Sequence, residues 1–128
     1  MVPYDHACLH AEMFGGKPED YLPVDEFLDQ TKGHCPDFRH RSILHNAFGM
    51  LLAEQVLGPV VINSDGEPIA VREIARQHIM QDCGCVPTLK EVLDALTGGQ
   101  AGKYNRPSRD TMDRLRRLRS KPAGQNDA

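Results

Sequence analysis

Tryptophan is absent and aromatic residues make up only 5% of the 128 positions, so a core here must be built mostly from aliphatic side chains. No apolar run approaches the ~20 residues that a membrane-spanning helix needs, which excludes a helical membrane protein. The N-terminal stretch Met1–His10 carries Asp5 and two histidines where a secretory signal would carry a basic start and an apolar segment. Cysteine is scarce as well. The four, Cys8, Cys35, Cys83 and Cys85, are expected to be free thiols in a cytoplasmic protein. A chain of this length buries enough surface to fold without a disulfide framework.

What is present is unevenly charged. Residues 1–102 hold 7 Lys/Arg against 15 Asp/Glu, whereas residues 103–128 hold 8 against 3. An acidic body therefore precedes a basic tail. The expected organisation is a helical His/Asp-rich domain over residues 1–98, then a Gly-containing linker and a basic C-terminal helix or tail over 99–128.

Punctuation and periodicity predict a mainly α fold, a compact domain of about five helices with one short β-hairpin. Pro3 to Phe14 reads as a helix that opens on proline and stops at Gly15-Gly16. Lys17 to Pro23 reads as a turn-rich connection and Val24 to Thr31 as a short second helix. Cys35 to Leu57 reads as one long central helix ended by Gly58-Pro59. Two apolar runs flank Ser64-Asp65-Gly66, a hairpin signal within Val60 to Val71. Val71 to Cys83 and Thr88 to Leu96 read as further helices, the latter with Thr88 and Glu91 at capping-box spacing. Ser108 to Arg119 reads as a basic helix and the last residues as disordered.

The chemistry lies in the histidines. His78 and Asp82 are one turn apart among Val71, Ile74 and Ala75, on the apolar face of their helix. A carboxylate there needs a cation, a metal or several hydrogen bonds. The plainer alternative is a satisfied core histidine beside a locally capped aspartate. His6 and His10 repeat the spacing, which can place two imidazoles on one divalent ion. The glutamate of a metalloprotease helix is missing between them. On one continuous helix His40 and His45 would lie about 140° apart, so one metal could not readily use both. Arg41, between them, wants a carboxylate such as Asp82 or Asp5. A rival set, His34 with Cys35, Cys83 and Cys85, has poor spacing for tetrahedral zinc.

The ligand set expected from these patterns is His6, His10, His45, His78 and Asp82, with His40 and Arg41 as catalytic groups. Such ligands suit zinc, or else iron, manganese or nickel, better than calcium or magnesium. Their His and Asp content bears a loose similarity to helical HD-type phosphohydrolases. No adjacent His-Asp pair exists, however, since Gln81 precedes Asp82.

From His6 to Leu93 the chain resembles an uncharacterised domain family of small bacterial and phage proteins. The resemblance rests on His6/His10, the run Gly15-Gly16-Lys17-Pro18-Glu19-Asp20-Tyr21-Leu22-Pro23, the stretch Asp37-Phe38-Arg39-His40-Arg41 with His45, the Asn63-Ser64-Asp65-Gly66 turn, and Val71-Arg72 through Gln77-His78 to Asp82, Gly84 and Pro87. The family pattern keeps histidines at 40, 45 and 78 and the acid at 82. It often has a second histidine at the place of Asn46, and lacks the cysteines at 83 and 85. The resemblance implies that the His/Arg/Asp set is the functional centre, and implies no reaction.

Two functions are carried forward. One is a metal-dependent hydrolase of a phosphoester-type bond. The other is a non-enzymatic accessory protein that binds a partner protein, its polar set serving as a structural network or structural metal site. Nucleic-acid binding through the basic tail is a weaker expectation, because Tyr104 is the tail's only aromatic and the body is acidic.

Overall fold

The computed structural model describes residues 1–98 and 107–121. The described residues fall into two units, one over Met1–Leu96 and one from Thr97 onward. Residues 99–106, within the expected linker, and 122–128, where the disordered end is expected, lie outside the described residues.

The first unit begins with α1 (Pro3–Phe14), opened by proline and ended by Gly15 at φ 84°. Helix α2 runs unbroken over Pro18–Leu28, so the connection expected over 17–23 is helical. Pro18 fits the first turn, where no N–H is needed, and the Lys17 amide donates to Asp20 Oδ2 at 2.8 Å. Pro23 sits inside the helix on its exposed side, next to exposed Glu19, whose carbonyl loses its helical partner. The buried face is Tyr21, Val24, Asp25 and Leu28.

The long helix expected over 35–57 is divided. A 3₁₀ turn at Phe38–His40 leads into the single-turn α3 (Arg41–Leu44), and α4 follows over Ala47–Leu57. His45 leaves helical geometry at φ −83°, ψ 59°. Asn46 is extended and caps α4 by accepting from the Gly49 amide at 2.9 Å. Gly49 is obligatory there, since a Cβ would run into the Leu44 carbonyl. The unit thus has six α-helices, one of them the single-turn α3, in keeping with the expectation of about five.

Strands β1 (Val60–Ile62) and β2 (Pro68–Ala70) pair antiparallel, with Val61 opposite Ile69. The hairpin docks on the α1–α2 turn. Asn63, 4% exposed, gives its amide N–H groups to the Phe14 carbonyl and the Tyr21 hydroxyl, and its Oδ1 accepts from the Asp65 and Glu67 amides. Asp20 accepts from the amide and hydroxyl of Ser64, and Asp65 from the Gly16 amide. Helix α5 spans Val71–Cys83 and ends at Gly84 in the left-handed region, φ 73°. Helix α6 (Leu89–Thr97) starts at the reciprocal Thr88/Glu91 cap and buries no residue. A small apolar core, including Ala7, Val24, Leu28, Leu44 and Ile74, joins α1, α2, α3 and α5.

In the second unit α7 covers Arg109–Ser120, capped by Ser108 accepting from the Thr111 amide. It carries five of the basic residues and buries none of its side chains. Among the described residues, no helix is long and apolar enough to cross a membrane.

Candidate metal centre

Three elements send four polar side chains to one buried point. Helix α2 ends at Asp29, the α3–α4 break presents His45, and α5 carries His78 and Asp82 one turn apart. Three of the four are buried and Asp82 is nearly so, its side chain 3% exposed. The ligand atoms Asp29 Oδ1, His45 Nε2, His78 Nε2 and Asp82 Oδ2 all lie within 4.8 Å of one another.

The separations range from hydrogen-bond lengths to the edge of a coordination shell. His78 Nε2 is 3.1 Å from both Asp29 Oδ1 and His45 Nε2. His45 Nε2 is 2.8 Å from Asp82 Oδ2 and 3.4 Å from Asp29 Oδ1, and His78 Nε2 is 3.4 Å from Asp82 Oδ2. A tetrahedral ion with bonds of ~2.1 Å requires ligand–ligand edges of about 3.4 Å. Two imidazole nitrogens facing each other between two carboxylates can share a proton or share a cation. The same four atoms can therefore hold a metal ion.

A further layer orients His78. Its Nδ1 donates to Asp25 Oδ1 at 2.8 Å, which fixes the tautomer and leaves Nε2 for the centre. The same oxygen accepts from His10 Nε2 at 2.8 Å. Asp25, His10 and His78 are fully buried, and the three form a second group of metal-capable atoms. His6 stacks on His78 with ring centroids 3.7 Å apart; its Nδ1 lies 2.7 Å from Gln81 Oε1 and its Nε2 3.2 Å from Asp82 Oδ1.

Charge at the centre is strongly coupled. Burial opposes ionisation of Asp29 and Asp82. Hydrogen bonds from His45 and His78, with the nearby His6 ring adding to the pull on Asp82, outweigh it and hold both carboxyls far below the usual range. Burial likewise opposes protonation of His78, but Asp25, Asp29 and Asp82 together push its pKa up to about 10. Without a metal, a protonated His78 is the cation these carboxylates gather around.

A cavity of about 330 Å³ reaches His45 and Asp82, with Arg41 and Ser42 beside them. Arg41 places Nη1 3.3 Å from the Asp82 carbonyl and Nη2 3.6 Å from Asp82 Oδ1, while its buried Nε has no hydrogen-bond partner. His40 donates from Nδ1 to the Asp37 carbonyl at 2.7 Å, since a carbonyl only accepts. That leaves His40 Nε2 facing the centre, 3.7 Å from Asp29 Oδ1.

The structure gathers His45, His78 and Asp82 around one point and sets His40 and Arg41 at its edge. His6 and His10 are buried nearby, but each turns a nitrogen to a different carboxylate and their rings are 6.5 Å apart. Arg41 takes Asp82, and Asp5 stays exposed. The rival cysteine set does not assemble: Cys83 and Cys85 are exposed, and none of the four cysteines joins a metal-capable group among the described residues. Asp25 and Asp29 were not singled out by sequence reasoning. Their signal is there in retrospect, since Tyr21, Val24, Asp25 and Leu28 make an apolar helical face with a carboxylate in its middle.

Fold and site together define a small helical protein with a buried His/Asp centre. The chain belongs to the family described as a domain of unknown function, DUF6915, whose family profile matches residues 1–100. No curated protein and no solved structure matches it.

Proposed function

We propose that the protein binds one divalent transition metal, zinc or a similar ion, through Asp29, His45, His78 and Asp82, and uses it to hydrolyse a phosphoester-type bond. The observation that carries this reading is the convergence of four donor atoms within 4.8 Å of one another, two carboxylates and two imidazoles, on one buried point. A bound ion that kept a further position for water beside these four donors would supply Lewis acidity and lower that water's pKa. The cavity lined by His45 and Asp82 would be the route by which a substrate reaches the ion. Arg41, with an unspent Nε–H, would hold the anionic group and steady charge as it develops. His40 Nε2 would take the proton of the attacking water; as the water oxygen joins phosphorus the P–O ester bond breaks, and the departing oxygen takes a proton from solvent to leave as the alcohol.

A second reading draws on the donor count. Four protein ligands are enough to close a tetrahedral shell, which fits a structural metal in a protein that binds a partner. Metal analysis by mass spectrometry on untagged protein tests both. About one equivalent in wild type, lost in Asp29→Asn and in His78→Ala, is the expected result. Full metal content with no phosphoesterase activity across zinc, manganese, iron and nickel would favour the structural reading. No metal after incubation with all four would end both.

A further inference from the structure

The cavity next to the centre has two unlike walls. Arg41 and Ser42 lie with His45 and Asp82, while Phe38, Pro87, Val92, Ala95 and Leu96 supply apolar surface. Several of these apolar groups are otherwise left in water: Phe38 is 75% exposed and Leu96 57%. Helix α6, which provides three of them, buries no residue at all. An amphipathic helix with an unburied apolar face is costly to keep unless that face meets something. The volume, about 330 Å³, stands at the small end of ligand pockets, whose range is roughly 300–1,000 Å³.

From this juxtaposition we infer the substrate class, an inference that rests on the metal-hydrolase reading. The substrate is a compact phosphomonoester whose phosphate meets Arg41 beside the metal ligands, and whose leaving group is apolar and lies against Phe38, Pro87 and α6. Sugar and nucleoside phosphates are disfavoured. Their hydroxyl and base groups would lose water against a wall that offers almost no hydrogen-bonding partners, and an unpaired buried polar group is penalised. The Arg41 Nε–H, buried and without an acceptor, is the donor that a phosphate oxygen would satisfy.

The test is calorimetric titration of the zinc-loaded, full-length chain with inorganic phosphate, glycerol phosphate and phenyl phosphate. Phenyl phosphate is expected to bind about tenfold more tightly than glycerol phosphate, the scale on which apolar pockets discriminate. Ala95→Trp, at an exposed position that a larger side chain does not unfold, should erase that preference by filling the cavity. Arg41→Gln should weaken all three ligands alike. Equal affinity for glycerol and phenyl phosphate, or a preference that survives Ala95→Trp, overturns the substrate class and leaves the metal reading standing. Failure of zinc, or of all three phosphates, to bind overturns the hydrolase reading itself.

Discussion

The two ends of α2 are built from similar residues and treated differently. At its N-terminal end, Asp20, Tyr21, Asn63, Ser64 and Asp65 form a polar latch in which Asn63 satisfies both its amide hydrogens and its oxygen within the chain. At its C-terminal end, Asp25 and Asp29 enter a cluster whose polar atoms outnumber their partners. His6 Nε2, His10 Nδ1, Asp25 Oδ2, Arg41 Nε and His45 Nδ1 are buried without a hydrogen bond, and these are all the orphaned side-chain atoms among the described residues. A protein rarely leaves such atoms unpaired without reason. The latch is complete in itself, whereas the layer around the four facing donors keeps buried polar atoms without a partner.

Substitutions at the two ends should separate these roles. The largest effect is expected from His78→Ala or Asp29→Asn, which should reduce metal content from about one equivalent to none. Saturating metal should stabilise the wild type by about 4 kcal/mol at a thousandfold excess over Kd, read as a Tm shift. Metal content preserved in both variants would move the site elsewhere.

At the latch, Asn63→Ala strands two amides and a carbonyl and should cost about 3 kcal/mol of stability while leaving metal stoichiometry intact. Metal lost together with stability would show the two ends to be one cooperative unit. Gly49→Ala should cost a similar ~3 kcal/mol, because the new methyl meets the Leu44 carbonyl.

The pH dependence differs between the metal-free and loaded forms. The raised pKa of His78 stabilises the metal-free fold fully below its unfolded value of 6.5, and that contribution is lost as pH rises through about 10. The depressed Asp29 and Asp82 act the other way: their contribution is present above the ordinary carboxylate range and lost as pH falls below it. Chelated protein should therefore lose Tm steadily above pH 6.5, whereas a metal seated on His78 Nε2 replaces the proton and removes that loss. A gap between the two melting curves that stays constant over this window would exclude His78 as a ligand. Smallest of all, Cys85→Ser should change stability by less than about 0.5 kcal/mol and metal content not at all.

Much of the fold is legible from residue patterns, and the reasons for the exceptions are specific. Helices α1 and α5 and the hairpin carry unambiguous signals: Pro3 and Gly15-Gly16, the apolar stripe closed by Gly84, and Ser64-Asp65-Gly66 between short strands. Helix α2 was obscured by Pro23, whose usual meaning is a helix end but which here lies on the exposed side. The break at His45 was hidden by apolar periodicity running straight through it. Only Asn46 and Gly49, a capping residue with a small partner three positions on, mark the restart. Both misreadings affect the site. Splitting α2 concealed Asp25 and Asp29, and a continuous central helix set His40 and His45 on different faces, whereas the break brings their rings to 5.8 Å.

That break also sets where the chain tolerates changes of length. His78 and Asp82 depend on the uninterrupted winding of α5, so one residue inserted between them would turn Asp82 away by about 100°. His45 stands outside regular winding, and α4 restarts from its own cap at Asn46. Beyond Gly49, α4 and the hairpin can gain or lose residues without rotating His45. One residue inserted after Ala53, ahead of the last turn of α4, is therefore expected to leave the centre intact, whereas one within α5 is not.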